Sequence, residues 1–389
     1  MTLATDWSAV DESLGEQATD SGSGKESIRF QRISSAELDT TNYELKYLVD
    51  DILVDQQPCL MAGPHKSLKT NVLVDLSISL ATGGKFLGLF SVPHAVRVGV
   101  MSGESGLATL QETGRRIAKA AGTRLSDIDN LIWTPDLPVF GHPDYMDALQ
   151  EFINADGLRV VAIDPAYLAT PLAADKGNNL FAIGELLRSV NDVCQECGCT
   201  LLIAHHMKKS SINYDPPELT DVAWSGWAEW ARQWLLLNRR ERFDPDSNGQ
   251  HKLWLAAGGS AGHSGLWGLD VEEGRRDAPE GRYWDVSLRP ASDVRAEAKD
   301  DRQSERQREK AAKFEKDLDA VAQALDAHPE GATRTRLRQY CGMSGEKFGR
   351  LIAELEKRKI AERCTVQVSN HKKPVEGYRR VPDTADSPV

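Results

Sequence analysis

Residues 59–70, CLMAGPHKSLKT, constrain the chain most: an apolar run enters a loop that opens on Gly63 and closes on Lys69 and Thr70. The stretch Gly63, Pro64, His65, Lys66, Ser67, Leu68, Lys69, Thr70 nearly fits the pattern G-x-x-x-x-G-K-[ST]. In that pattern, backbone N–H groups and the positive end of the following helix surround a polyphosphate, the lysine reaches the terminal phosphates and the hydroxyl residue holds Mg²⁺. Leu68 stands where the second glycine belongs. From Asn71 to Ala81 the apolar spacing predicts a helix packed on a sheet, and Thr82-Gly83-Gly84 stops it. Many α/β proteins place a lysine near a helix start by chance, so the loop draws its weight from this context. ATP with Mg²⁺ is the ligand it implies.

A chain of 389 residues accommodates one large α/β domain and a small module. The formal net charge of −11 hides an asymmetry. Residues 1–55 carry twelve acidic side chains against Lys25, Arg29, Arg32 and Lys46, whereas Gly331 to Val381 holds thirteen Lys and Arg against five glutamates. Nucleic acid is therefore sought at the basic end. No cationic start followed by an apolar run opens the chain, and no apolar stretch approaches the roughly twenty residues of a membrane helix, so a cytoplasmic protein is expected. Cys194, Cys197 and Cys199 form a C-x-x-C-x-C cluster without a second pair nearby, which reads as reduced structural thiols rather than a zinc site.

Residues 1–27 are rich in Ser, Gly, Thr, Asp and Glu, and a disordered acidic lead is expected there. After the loop, strand-like runs at Val96 to Met101, Leu131 to Trp133, Leu158 to Ile163 and Thr200 to Ala204 alternate with helical patterns. This predicts an α/β fold with a mainly parallel sheet over residues 28–290. Trp234 to Leu237, Lys252 to Ala256 and Tyr283 to Leu288 follow without long helices between them, as antiparallel extensions would. A charged, apolar-poor linker helix is expected at 291–316. Residues 317–382 show helix, helix, helix and hairpin patterns that resemble a winged helix-turn-helix, before a disordered tail at 383–389. Trp224, Trp227, Trp230 and Trp234 fall at helical spacing, which reads as a packing stripe.

Three further strand ends carry polar chemistry. Val160-Val161-Ala162-Ile163 leads into Asp164, where a carboxylate would support the metal of Thr70. Val96 to Met101 leads into Ser102-Gly103-Glu104-Ser105-Gly106, so that Glu104 either polarises water or pairs with the first amides of the next helix. Thr200 to Ala204 leads into His205, His206, Met207, Lys208 and Lys209, a cluster placed to sense a γ-phosphate.

This order of phosphate loop, strand plus S-G-E, strand plus D and strand plus H-H-x-K resembles the RecA-like ATPases over about residues 45–290. Within them it resembles the hexameric replicative helicases of the plasmid RepA and DnaB types. The resemblance implies that Gly63 to Asn71 hold ATP, that Lys69 and Thr70 bind phosphate and Mg²⁺, and that Asp164 supports the metal. It further implies that Glu104 activates water and His206 couples hydrolysis to DNA. It implies a ring-forming homo-oligomer, such as a hexamer, in which an arginine of the neighbouring subunit completes the site; Arg232, Arg239 and Arg240 are the candidates. Single strands would be gripped by loops at about 166–179 and 210–221, where Lys176, Lys208 and Lys209 are the cations, and duplex by the winged helix. There the helix Ser344 to Lys359 offers Lys347, Arg350, Lys357, Arg358 and Lys359 among Glu346, Glu354 and Glu356, while Arg334, Arg336, Arg338, His371, Lys372, Lys373 and Arg379 suit phosphates.

Glycine at position 68 would let the backbone approach phosphate in a torsion that side chains resist, so Leu68 puts turnover in question more than binding. The rival reading is an ATP-gated DNA-binding regulator without motor activity. A small-molecule kinase would need an arginine-rich lid, and nothing between Asp164 and His205 reads as one.

Overall fold

A computed structural model describes residues 30, 32–171, 179–208, 213–244, 249–277, 279, 281–368 and 373–382. The expected acidic lead at 1–27, the tail at 383–389, Lys176, Lys209, His371 and Lys372 lie outside them. The chain divides into two units, Met1–Lys46 and Tyr47–Val389. In the first, a helix at Ser35–Thr40 starts on Ser34, whose hydroxyl accepts from the N–H of Glu37.

The second unit is built on β1 (Cys59–Gly63), in which every residue is buried. Its side chains alternate between two cores. Cys59 and Met61 join the cluster under α1 (Lys69–Thr82), and Leu60 and Ala62 join the cluster on the other face. Further elements follow in chain order: β2 (Val98–Ser102), α2 (Leu107–Ala120), β3 (Leu131–Thr134), α3 (Pro143–Asp156), β4 (Val160–Asp164), α4 (Leu180–Glu196), β5 (Thr200–His206) and β6 (Gln233–Arg239). Three long strands complete the sheet, β7 (Gln250–Gly259), β8 (Ser264–Glu272) and β9 (Asp285–Pro290).

The nine strands lie in the order β9-β8-β7-β6-β1-β5-β4-β2-β3. From β6 to β3 the neighbours are parallel, and β7, β8 and β9 extend the sheet antiparallel. This is the RecA-like P-loop α/β fold expected from the sequence. Two details differ. Trp234 to Leu237 belongs to a strand parallel to β1, with Leu236 opposite Ala62, rather than to an antiparallel extension. The run Ser264–Glu272, which the sequence does not announce, is a full strand whose Gly268 lies opposite Trp254.

Register aligns the carboxyl ends of the central strands. Gly63 is opposite His206, and Ser102 is opposite Asp164. Ligands of open α/β sheets gather at this edge, where the chain passes from one side of the sheet to the other. Gly83, in the left-handed region at φ 71°, ends α1 where the Thr-Gly-Gly signal predicts.

The tryptophan stripe is not one helix. Gly226, at φ 93°, opens a single turn at Trp227–Trp230, Ala231 is already extended, and Trp234 lies on β6. The four rings still pack into one core, with Trp227 fully buried.

Beyond the sheet, α5 (Ala291–Asp326) runs unbroken for 36 residues. At its start Ala291 and Val294 pack on Trp254. Near its end Leu318, Val321, Ala324 and Leu325 pack with Leu337 of α6 (Arg334–Cys341) and Phe348, Leu351, Ile352 and Leu355 of α7 (Gly345–Lys357). A short β10 (Ala332–Thr333), β11 (Ala361–Val366) and β12 (Val375–Arg380) form a separate sheet in the order β10-β12-β11. Among the described residues no helix is long and apolar enough to cross a membrane.

Candidate functional site

The loop after β1 folds around its own carbonyls. Lys69 Nζ donates to the carbonyls of Gly63 at 3.0 Å and Pro64 at 2.8 Å, and Ser67 Oγ donates to Pro64 O at 2.8 Å. Gly63 is required by space: a β-carbon there would meet Ser67 Oγ at 2.7 Å and the carbonyl of Leu237 at 3.0 Å. Leu68 takes φ 61° and ψ 23°, the left-handed conformation that a glycine adopts without strain.

Thr70 Oγ1 donates to Asp164 Oδ2 at 2.6 Å, joining the first turn of α1 to the end of β4. Burial raises the Asp164 pKa, against the lowering effects of this hydrogen bond and of Lys69. Lys69 is itself pushed down to about 8 by burial, while the charges of Asp164 and Glu104 pull the other way. Glu104 follows β2, is exposed, and lines the same cavity.

The two histidines separate. His205 is buried, stacks on Trp227 at 4.2 Å between ring centres, and donates from Nε2 to Ala223 O at 3.0 Å. Burial lowers its pKa to about 3, which marks it as a neutral core residue. His206 faces the cavity with its ring 4.3 Å from that of His65. Burial, then Lys69 and His65, lower its pKa to about 4, so it is neutral at pH 7.

Of the arginines proposed for a neighbour's site, Arg239 lies in this chain's own cavity, where Nη2 donates to Lys66 O at 2.7 Å. The parallel register of β6 causes this, because Leu236 opposite Ala62 puts Arg239 just past the end of β1. Arg232 is exposed at the far end of β6, beside the start of β1. Arg240 pairs with Asp270 and lies 5.7 Å from the Trp254 ring, outside the cavity.

The cavity has a volume of about 680 Å³, enough for a nucleoside triphosphate. Its second half was not read from the sequence. Glu273 accepts from Asn71 Nδ2 at 3.1 Å, from Arg282 Nη2 at 2.6 Å and from Arg116 Nη1 at 2.5 Å, and it bonds His251 Nε2 at 3.1 Å. Burial alone would raise the Glu273 pKa, but the His251 hydrogen bond and the Arg116 and Arg282 charges outweigh it and hold it at about 2. Phe243, half-exposed, stacks on His251 at 5.2 Å. Arg116 sits at the helical spacing Thr109, Thr113, Arg116 on α2, a polar stripe on the cavity side. That stripe was a usable signal; the partner Glu273, at the end of a strand the sequence hid, was not. Among the described residues, buried Arg239 Nε and His206 Nδ1 have no hydrogen-bond partner, which suits a cavity that receives an anion.

Thr70 and Asp164 together supply an oxygen pair suited to a hard divalent cation. Part of the terminal module's positive charge is paired with nearby carboxylates. Lys347 pairs with Asp317, Arg358 with Glu315 and Glu354, Arg363 with Glu356 and Glu376, Arg379 with Glu362, and Arg380 with Asp326.

Residues 24–211 match a family model described as AAA domain, a span that holds the phosphate loop, Glu104, Asp164 and His206. The match supports a P-loop ATPase of RecA-like type. No curated protein matches the chain. Among solved structures, a KaiC-like protein of the hyperthermophilic archaeon Pyrococcus horikoshii OT3 is similar at 14% identity, over 62% of this chain and 94% of that chain, with a TM-score of 0.40.

Proposed function

We propose that this chain binds and hydrolyses ATP at the carboxyl edge of its sheet and couples the cycle to a nucleic-acid strand, as a helicase or translocase does. The observation that carries the ATP reading is the Thr70 to Asp164 hydrogen bond of 2.6 Å beside the buried Lys69. These three groups come from the first turn of α1 and the end of β4, far apart in sequence, and they are the groups that phosphoryl transfer needs at one point.

Lys69 would exchange its loop carbonyls for the β- and γ-phosphates, and the loop amides would follow. A divalent ion held by Thr70 with the support of Asp164 would neutralise phosphate charge when bound. Glu104 would orient a water and accept its proton as the water oxygen bonds the γ-phosphorus and the bond to the β–γ bridging oxygen breaks. Arg239 would stabilise the developing charge in cis. His206, neutral and in ring contact with His65, would report the γ-phosphate to the segment after β5. Assembly into a ring, such as a hexamer, and a role in replication, recombination or mobile-element maintenance belong to the same proposal, as does a winged-helix reading of the terminal module. Leu68 and the winged helix are the grounds for a regulator without motor activity; the left-handed torsion of Leu68 keeps the loop in the shape that glycine would give, which favours the ATPase reading.

The test is steady-state hydrolysis with and without DNA for wild type, Lys69→Ala and Glu104→Gln. Lys69→Ala is expected to abolish binding and turnover, and Glu104→Gln to keep binding while lowering kcat at least about a hundredfold. Hydrolysis unchanged in Lys69→Ala would refute the assignment.

A further inference from the structure

The long helix α5 is more than a spacer, because one of its faces forms a wall of a second cavity. This groove of about 900 Å³ lies between α5, β7 and the segment around Tyr214. Its sheet-side cations are engaged: Lys252 pairs with Glu241, and Arg289 with Asp270 and Glu297. The helix side is different. Arg295, Lys299, Arg306 and Lys310 recur at steps of four, seven and four, are exposed, and have no ion pair among the described residues. Asp215 is the remaining acid on the wall. Arg295 lies 5.8 Å from the centre of the Trp254 ring and is thereby fixed in place.

The track does not stop there. Lys310 also lines the next hollow, where Lys313 adds a cation, while Lys347 and Arg350 there are paired with Asp317 and Glu346. From Arg295 to Lys310 the helix rises about 22 Å, a length that spans several phosphates.

An independent feature marks the groove as a site for more than phosphate. Tyr214 holds a left-handed backbone at φ 63°, a conformation a bulky residue adopts only when its surroundings impose it. They do: Trp254 Nε1 donates to Tyr214 O at 3.0 Å, and Asn238 Nδ2 donates to Asp215 O at 2.9 Å. The result is a tyrosine 40% exposed on a hydrogen-bonded backbone beside a line of cations. Stacking surface next to a cationic track is what a single-stranded polynucleotide needs.

We infer that the groove between α5 and β7 binds single-stranded nucleic acid, with phosphates along Arg295, Lys299, Arg306 and Lys310 and a base on Tyr214. This rests on the nucleic-acid part of the function proposed above and places the strand at a wall that part did not include.

The test uses the full chain and fluorescence anisotropy with labelled dT and rU oligonucleotides of about 20 nucleotides, inorganic polyphosphate as competitor, and a duplex of the same length. Lys299→Glu/Arg306→Glu/Lys310→Glu is expected to weaken either oligonucleotide at least about tenfold, and to reduce the slope of log affinity against log salt by about 2, three contacts at about 0.7 each. Tyr214→Ala is expected to weaken oligonucleotide binding about tenfold while leaving polyphosphate binding unchanged. Binding of a fluorescent ATP analogue, at a separate site, should stay as in wild type and certifies folding. A triple variant that binds oligonucleotide like wild type overturns the groove and leaves the nucleic-acid reading standing; a wild type that binds no oligonucleotide overturns both. Tyr214→Ala without effect, or tighter binding of duplex than of either strand, also overturns the assignment.

Discussion

Leu68 shows what one residue can tolerate at a phosphate loop. A leucine at φ 61° costs about 1–2 kcal/mol relative to a right-handed residue, and its partly buried side chain recovers some of that against the core under α1. Leu68→Gly should therefore leave ATP affinity within about threefold of wild type, since the backbone already has the glycine shape. Leu68→Val places a β-branched side chain where it fits worst and should weaken ATP at least about tenfold and lower the Tm. Titration with a fluorescent ATP analogue and a melting curve on each variant decide this, and a large gain in affinity for Leu68→Gly would show that the leucine holds the amides out of line. At this scale the sequence was most informative. Lys69, Thr70, Asp164, Glu104 and His206 meet in one cavity because each ends a strand or opens a helix at one sheet edge, and that follows from motif order. Arg239 could not be placed, because its position depends on the register of β6 against β1.

Elements are joined across the cavity by Glu273, which ties α1 through Asn71, α2 through Arg116, β7 through His251, and the loop of Arg282. Glu273→Gln removes the charge that compensates buried Arg116 and should cost about 3–5 kcal/mol. The pH dependence has a definite sign. The folded-state pKa of about 2 lies below the ordinary 4.5, so the stabilisation from Glu273 is full above about pH 4.5 and is lost as pH falls towards 2. Urea melts of wild type and variant at pH 7 and pH 3 check it: the gap between the two should narrow in acid, and a constant gap would reject the charge argument. Strands bounded by clear turns and helices stopped by Gly-Gly were legible from residue pattern. The missed strand, SGLWGLDVE, carries two glycines, and at Gly268 a β-carbon would meet Val294 at 2.5 Å. Glycine there admits α5, a tertiary cause that no strand periodicity displays.

For the whole molecule, the unbroken α5 is the feature with the widest reach. Its 36 residues span about 54 Å, with core packing at both ends and cations between. The sequence showed its charged middle and led to a linker and a separate first helix of the next module; continuity was hidden because Leu318 to Leu325 become core only once α6 and α7 fold against them. One alanine inserted after Ser304 turns everything beyond it by about 100°, so Arg306 and Lys310 leave the groove and oligonucleotide affinity should fall about as far as in the triple variant. A four-residue insertion restores the phase to within about 40° and should recover much of that loss, as read by the same anisotropy titration. Insertions of one and four residues with equal effect would mean that the angular setting does not matter. A rod without a joint cannot absorb twist: if the sheet edge at β7 to β9 pivots when phosphate enters or leaves, the far end sweeps an arc, and the chain has the makings of a crankshaft.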